Sequence, residues 1–189
     1  MSRIYFDAYE GLIFQMAHQF YIWSYIFDEN KNNPICFDSI AFSNTLTISL
    51  QQGFLLNITN LFDNRDDRSF SIHSLLKESR NPILREDINN IIENKFKKTI
   101  NLLMGWRDKF LAHKEVKFVI NRKLLYSKYP VKDEEINDLL DFLINVLDLI
   151  KSDFDPNNSV NYSHFYSSIK KDCINHAKFA SENGWFKKM

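Results

Sequence analysis

Hydrophobic residues return every three or four positions along most of this chain, which is the spacing of an amphipathic α-helix. This periodicity predicts four long helices, one short helix and one further helix towards the C-terminal end. The long helices cover residues 4–28, about 39–63, 82–113 and 133–154, the short one about 72–79 and the last about 163–181. Few turn residues interrupt them, because the chain has only four Gly and four Pro.

The first predicted helix, residues 4–28, carries more apolar surface than one buried face requires. Met16, Phe20 and Trp23 share a predicted face, and aromatic residues such as Tyr21 widen it. A helix that is apolar around most of its girth either lies at the centre of a fold or packs against a second surface, such as a partner subunit. The pattern leaves both options open, and the second would support a homodimer.

The segment between the third and fourth long helices loses the helical period. Val116, Phe118 and Ile120 alternate with other residues, so a small hairpin near residues 116–126 is an option. The predicted fold class is therefore all-α. It is a four-helix bundle over residues 1–155, with a short accessory helix, and a C-terminal helical extension over residues 156–189 packs on the same domain.

The net charge and the distribution of apolar residues limit the kinds of partner and the location expected for the protein. The 24 basic and 24 acidic residues give a formal net charge of zero. Because phosphate neutralisation supplies most non-specific nucleic-acid affinity, any contact with nucleic acid should be a local basic patch. The N-terminal run is broken by Asp7 and Glu10, and no stretch of about 20 uncharged apolar residues occurs. We expect a cytoplasmic protein with no membrane contact.

Cysteine and histidine positions give little support for a metal site. Cys36 and Cys173 do not form a disulfide or metal framework. Cys173 and His176, with His164, have the residue types of a zinc site but lack a second close pair of ligands. His18, on the apolar first helix, is expected in the core. The sequence therefore predicts no metal and no cofactor.

The stretch with candidate chemistry is WRDKFLAHKE, residues 106–115, at the end of the third long helix. It contains Arg107, the polar residue Asp108, and then His113. A similar spacing joins Arg68 to His73, but that pair falls in a charged loop and a short helix. Because short motifs match by chance, the structural context decides, and it favours the pair at the end of the long amphipathic helix.

The residues 106–115 resemble the R-x(4–6)-H motif of the HEPN superfamily, with a polar residue directly after the arginine. The sequence RDKFLAHKE is especially similar to that of HEPN proteins of the abortive-infection U type. The order of predicted elements extends the resemblance more loosely over residues 4–150, including the loop LFDNRDD. One departure is Ala112, where some HEPN toxins carry a tyrosine that a partner nucleotidyltransferase modifies, so control by that route is doubtful here.

The resemblance implies a metal-independent endoribonuclease that cleaves RNA through attack of the ribose 2′-OH, in phage defence or as a toxin. It implies that Arg107 holds the phosphate, His113 transfers a proton and Asp108 orients either partner. Lys109 and Lys114 are candidate RNA contacts. The residue types suit this chemistry, since histidine titrates near neutral pH and arginine offers a permanently charged fork. A homodimer, an RNA substrate and an antitoxin or defence-system protein are the expected partners.

Helix geometry constrains how the motif can work. In a straight α-helix, Arg107 and His113 lie about 120° apart around the axis and ~9 Å along it. They cannot easily share one phosphate from one regular helix. Either the helix breaks before His113, or two chains contribute to one cleft. The resemblance to HEPN ribonucleases implies the second arrangement.

Two other interpretations stay open. The chain could be a non-catalytic HEPN module that binds nucleotide, RNA or a protein partner. It could also be a purely structural helical dimer, in which His113 is a structural histidine and Arg107 forms a plain ion pair with Asp108 or Glu115.

Overall fold

The computed structural model describes residues 3–32, 35–36, 40–63, 70–112, 124, 127–154, 162–182 and 187–188. Seven α-helices account for most of them: α1 (Arg3–Asn32), α2 (Ile40–Phe62), α3 (Ile72–Glu78), α4 (Pro82–Ile91), α5 (Lys97–Trp106), α6 (Asp133–Phe154) and α7 (Tyr162–Glu182). Two-residue strands, β1 (Ile35–Cys36) and β2 (Lys187–Lys188), pair antiparallel. The all-α class predicted from the periodicity is confirmed.

The third predicted long helix, residues 82–113, is not a regular α-helix. A first π-helical turn, Ile92–Phe96, separates α4 from α5, and a second one, Arg107–Ala112, follows α5 directly. Asn81 starts the helix as expected, because its side chain accepts hydrogen bonds from the N–H groups of Ile83 and Leu84, both at 3.1 Å. The start was predicted correctly, and the regular geometry was not.

Helix α1 lies at the centre of the bundle and contacts α2, α6 and α7. Its second apolar face packs against α7 of the same chain, where the ring of Phe14 meets those of Tyr162 and Phe165 at centroid distances of 6.1 and 5.3 Å. The central position therefore accounts for the broad apolar girth of α1. A partner subunit is not needed to cover this face.

A buried pair of hydroxyl groups joins α1 to α7. The Tyr21 and Tyr166 oxygens lie 2.5 Å apart. Burial raises the pKa of Tyr21 to about 12 and also raises the pKa of Tyr166, so both groups are neutral well above pH 7. The pair satisfies two polar groups that would otherwise be buried without partners.

Carboxylates on α6 hold the neighbouring elements in place. Asp148 accepts hydrogen bonds from the N–H groups of Tyr162 and Ser163, at 2.7 and 3.1 Å, which are unpaired donors at the start of α7. Asp153 accepts from the Ser79 hydroxyl and the Arg80 N–H, both at 2.9 Å. Helix α6 thereby sets the positions of α7 and of the turn that leads into α4.

Two smaller expectations have different outcomes. Of the possible hairpin near residues 116–126, only Leu124 belongs to the described residues, so this expectation lies outside them. His18, expected in the core, is exposed, and its Nδ1 contacts the carbonyl oxygen of Phe14 at 2.8 Å. Among the described helices, none combines the length and apolar character that a bilayer crossing requires.

Candidate active site

The second π-helical turn begins at Arg107, where α5 ends. The Arg107 N–H still bonds to the carbonyl groups of Leu103 and Met104, so the backbone continues without a break. In a π-helix each N–H bonds five residues back rather than four, which widens the turn and changes where each side chain points. The turn spans every residue between Arg107 and position 113, so the straight-helix separation estimated from the sequence does not apply.

Arg107 is held by two carboxylates. Its Nε and Nη2 donate to Oδ1 of Asp108, at 2.9 and 2.8 Å. Its Nη1 donates to Oδ2 of Asp63, just beyond the end of α2, at 3.2 Å. The Arg107 side chain is only 11% exposed, whereas Asp63 is 20% and Asp108 45% exposed. Three charge-assisted hydrogen bonds in a partly buried setting hold the guanidinium in one orientation.

Two carboxylates share the positive charge of Arg107. One guanidinium faces two carboxylates, so the three side chains carry a formal charge of −1. Any phosphate that reaches Arg107 must therefore compete with Asp63 or Asp108. Asp108 is the more exposed of the two, so it has more room to move aside.

The residues before Arg107 are clamped by the segment that precedes α6. The Trp106 Nε1–H donates to the carbonyl oxygen of Tyr129 at 2.7 Å. Gly105 lies directly under the Tyr129 ring, which a Cβ at that position would overlap. The contact explains why glycine stands in the last turn of α5. Together the two contacts hold the last turn of α5, which the second π-helical turn follows directly.

An enclosed cavity of about 30 Å³ lies beside Trp106. Side chains of α1, α2, α5 and α6 line it, with Ser24, Gln51 and Asp133 as its polar groups. That volume has room for one or two water molecules but not for a nucleotide. The cavity is therefore part of the packing behind the motif rather than a substrate pocket.

The structure brings together some of the predicted site residues. Arg107 and Asp108 are in direct contact, and Lys109 follows them in the same turn, half-buried. His113 and Lys114 lie outside the described residues. The sequence reasoning did not assign Asp63 to the site, although this residue lies in the LFDNRDD loop that the resemblance includes.

The second motif match, Arg68 with His73, also lies only partly within the described residues. Arg68 lies outside the described residues, and His73 is half-buried on α3. Burial lowers the pKa of His73 below its ordinary value of 6.5, with the nearby Lys77 acting in the same direction. Among the described residues, no group of three or more His, Cys, Asp or Glu side chains is placed to hold a metal ion.

A helical bundle whose long third helix leads into an arginine, a polar residue and a later histidine has the architecture of a HEPN protein. The family model HEPN_AbiU2, described as AbiU2, matches residues 5–182, and the chain therefore belongs to the AbiU2 family of HEPN proteins. This confirms the resemblance to the abortive-infection U type. The match continues to the end of α7, beyond residues 4–150. None of the curated proteins and none of the solved structures compared with the chain matches it.

Proposed function

We propose that this protein is a metal-independent HEPN endoribonuclease of phage defence or of a toxin system, active in the cytoplasm. The observation that carries the proposal is the fixed orientation of Arg107, which two carboxylates hold at the start of the turn leading to His113. A positioned guanidinium suits a phosphodiester, because its donors match two phosphate oxygens at once.

In the proposed reaction, the 2′-OH of one ribose attacks the adjacent phosphorus and the bond to the 5′-oxygen breaks. The products are a 2′,3′-cyclic phosphate and a 5′-hydroxyl. Arg107 stabilises the charge on the non-bridging oxygens, and His113 moves the proton between the attacking or leaving oxygen and solvent. Asp108 holds Arg107 in place, and Lys109 within the motif and Lys114 directly after it contact the RNA.

The active unit in this proposal is a homodimer, in which the arginine of one protomer works with the histidine of its partner. An antitoxin or another defence-system protein would control the site. Since the described apolar faces of α1 pack against α2, α6 and α7 of the same chain, α1 gives the homodimer no independent support.

A non-catalytic HEPN module that binds nucleotide, RNA or a protein partner is the second candidate. The specific observation in its favour is the environment of Arg107, which is only 11% exposed and already bonded to Asp63 and Asp108. Such an arginine can serve to hold the motif segment against α2 instead of binding phosphate.

Cleavage of RNA in the presence of EDTA separates the two candidates. The purified protein should cut an end-labelled RNA and leave DNA of the same sequence intact, because DNA lacks the 2′-OH. His113→Ala and Arg107→Ala should each lose at least about a hundredfold in rate, in the range typical of acid–base and charge-stabilising groups. The matched control is His176→Ala, an exposed histidine on α7, which should cut like the wild type. Binding without any cleavage would instead favour the non-catalytic module.

Mixing the two inactive variants tests the shared site. If the arginine and histidine come from different protomers, a dimer of one Arg107→Ala chain and one His113→Ala chain keeps one intact site and regains activity. Cleavage that stays absent in mixtures shown to contain the mixed dimer rules out the composite site.

A further inference from the structure

An open groove of about 590 Å³ runs along the outer side of the helix that carries the motif. It lies between the first π-helical turn with α5 on one side and residues 128–129 on the other. Four lysines and one glutamate supply its charged groups, so its lining has a formal charge of +3. The groove is lined by Glu93, Asn94, Lys95, Lys97, Lys98, Asn101, Leu102, Lys128 and Tyr129.

Three lysines of this groove, Lys95, Lys97 and Lys98, remain available to a ligand. Lys97 pairs with Glu93 one turn away, and Lys95 meets Asp138 at 3.9 Å. All four of these side chains are about 60% exposed, and ion pairs this exposed contribute little and exchange readily. Lys98 is exposed and has no ion-pair partner within the described part of the chain.

The remaining groups are those that recognise a single nucleic-acid strand. The Lys128 ammonium lies 5.6 Å from the centre of the Tyr129 ring, which places a cation and an aromatic face side by side. Asn101 adds an exposed amide. Lysines bind the phosphates and an aromatic ring stacks on a base, which is how proteins bind single strands without reading their sequence. The patch is local in a chain with no net charge, so it is a preferred place for a polyanion.

One wall of the groove is joined to the residues just before the motif. Tyr129 forms one wall, its carbonyl oxygen accepts the Trp106 indole N–H, and its ring covers Gly105, two residues before Arg107. The first π-helical turn carries Lys95 of the groove, and the second π-helical turn carries Arg107 of the motif. Such turns occur frequently at functional sites.

We propose that this lysine groove binds the backbone of single-stranded RNA and leads it to Arg107. The inference rests on the proposed function, since it names the path by which that substrate reaches the motif. Lys109 is not among the described residues that line this groove, so the groove adds a second binding region to the one expected from the motif.

Binding should be measured by fluorescence anisotropy with a labelled 2′-O-methyl RNA strand, which has no free 2′-OH and cannot be cut. The test variant is Lys98→Glu with Lys128→Glu. The matched control is Lys171→Glu with Lys178→Glu on α7, which packs against α1 and α6. Both variants change the formal net charge from zero to −4, so a difference between them reports where the charge lies.

The groove variant should bind about tenfold more weakly or worse at ~0.1 M salt, while the control stays within roughly threefold of the wild type. The slope of log affinity against log salt should become shallower by about 1.4, since each lost phosphate contact on a single strand removes about 0.7. Because all four lysines are exposed, both variants should fold, and thermal melting verifies it. If the charge reversal does unfold the groove variant, Lys98→Gln with Lys128→Gln replaces it.

Equal weakening by both variants, or wild-type binding by the groove variant, overturns the proposal. The outcome is separable from that of the nuclease proposal. If the groove lysines are needed for binding but ordinary RNA is not cleaved, the groove proposal is supported and the nuclease proposal is overturned. If the groove variant cleaves RNA at the wild-type rate and with the wild-type dependence on RNA concentration, the nuclease proposal is supported and the groove proposal is overturned.

Discussion

The guanidinium of Arg107 donates to the carboxylate of Asp63 at 3.2 Å, across 44 residues of sequence. This ion pair ties the start of the second π-helical turn to the end of α2. Asp108 binds the same guanidinium from the neighbouring position. The motif arginine is therefore a junction between two helix ends as well as a candidate phosphate ligand, and each role can be tested separately.

Replacing Asp63 tests the junction. Asp63→Asn should lower the free energy of unfolding by about 1–2 kcal/mol, because hydrogen bonds to charged groups contribute about 1.5–3 kcal/mol and the amide recovers part of that. Urea denaturation of Asp63→Asn, Arg107→Gln and the double variant gives the coupling between the two positions. A coupling of at least about 0.5 kcal/mol is expected, and strictly additive effects would show that the pair contributes nothing.

Two glycines on different helices should respond in opposite ways to alanine. Gly11→Ala should stabilise the protein by up to about 1 kcal/mol, because nothing lies within 4 Å of the new Cβ and alanine is the better helix former. Gly105→Ala should destabilise it, by about 1–3 kcal/mol, since the Cβ overlaps the Tyr129 ring. Thermal melting measures both, and an equal stabilisation by the two variants would mean that the Tyr129 ring moves away freely.

Asp148 should contribute more to stability than a neighbouring carboxylate on the same helix. Asp148→Ala leaves the first N–H groups of α7 without their acceptor, and the expected loss is about 1–3 kcal/mol. Asp138→Ala is the control, because its only described ion pair, with Lys95, is long and 62% exposed on the aspartate side. We expect the control to change the unfolding free energy by less than about 0.5 kcal/mol in denaturant titrations. Similar losses for the two variants would contradict this assignment.

His73 should make the protein less stable in mild acid. Burial lowers its pKa in the folded state, so the unfolded chain binds a proton more readily once the pH falls below about 6.5. This contribution to the free energy of unfolding is present above pH 6.5 and is lost as the pH falls through the folded-state pKa. Denaturant titrations at pH 7.5 and 5.5 should show a smaller acid loss in His73→Gln than in the wild type. The exposed His176→Gln is the control, and the same acid loss in all three proteins would refute the assignment.

Much of the helical architecture follows from local features of the sequence. Apolar periodicity predicts the long helices to within a few residues, because burial of one face depends on spacing along the chain. Asn81-Pro82 marks the start of α4 correctly, since capping involves groups only two or three residues apart. The motif of Arg107, Asp108 and His113 is also a local feature, and its resemblance to the HEPN motif was sufficient to predict the family.

The remaining features were decided by contacts between distant parts of the chain. Asp63 reaches Arg107 only after α2 and α5 have packed together, and no local pattern encodes that meeting. The broad apolar girth of α1 was compatible with a centre or with a subunit interface, and packing of α7 on its second face decided for the centre. The sequence by itself therefore determined the helices, their caps and the chemistry of the motif. Tertiary packing decided which charges surround the arginine, because this depends on which side chains are brought within hydrogen-bond distance across the fold.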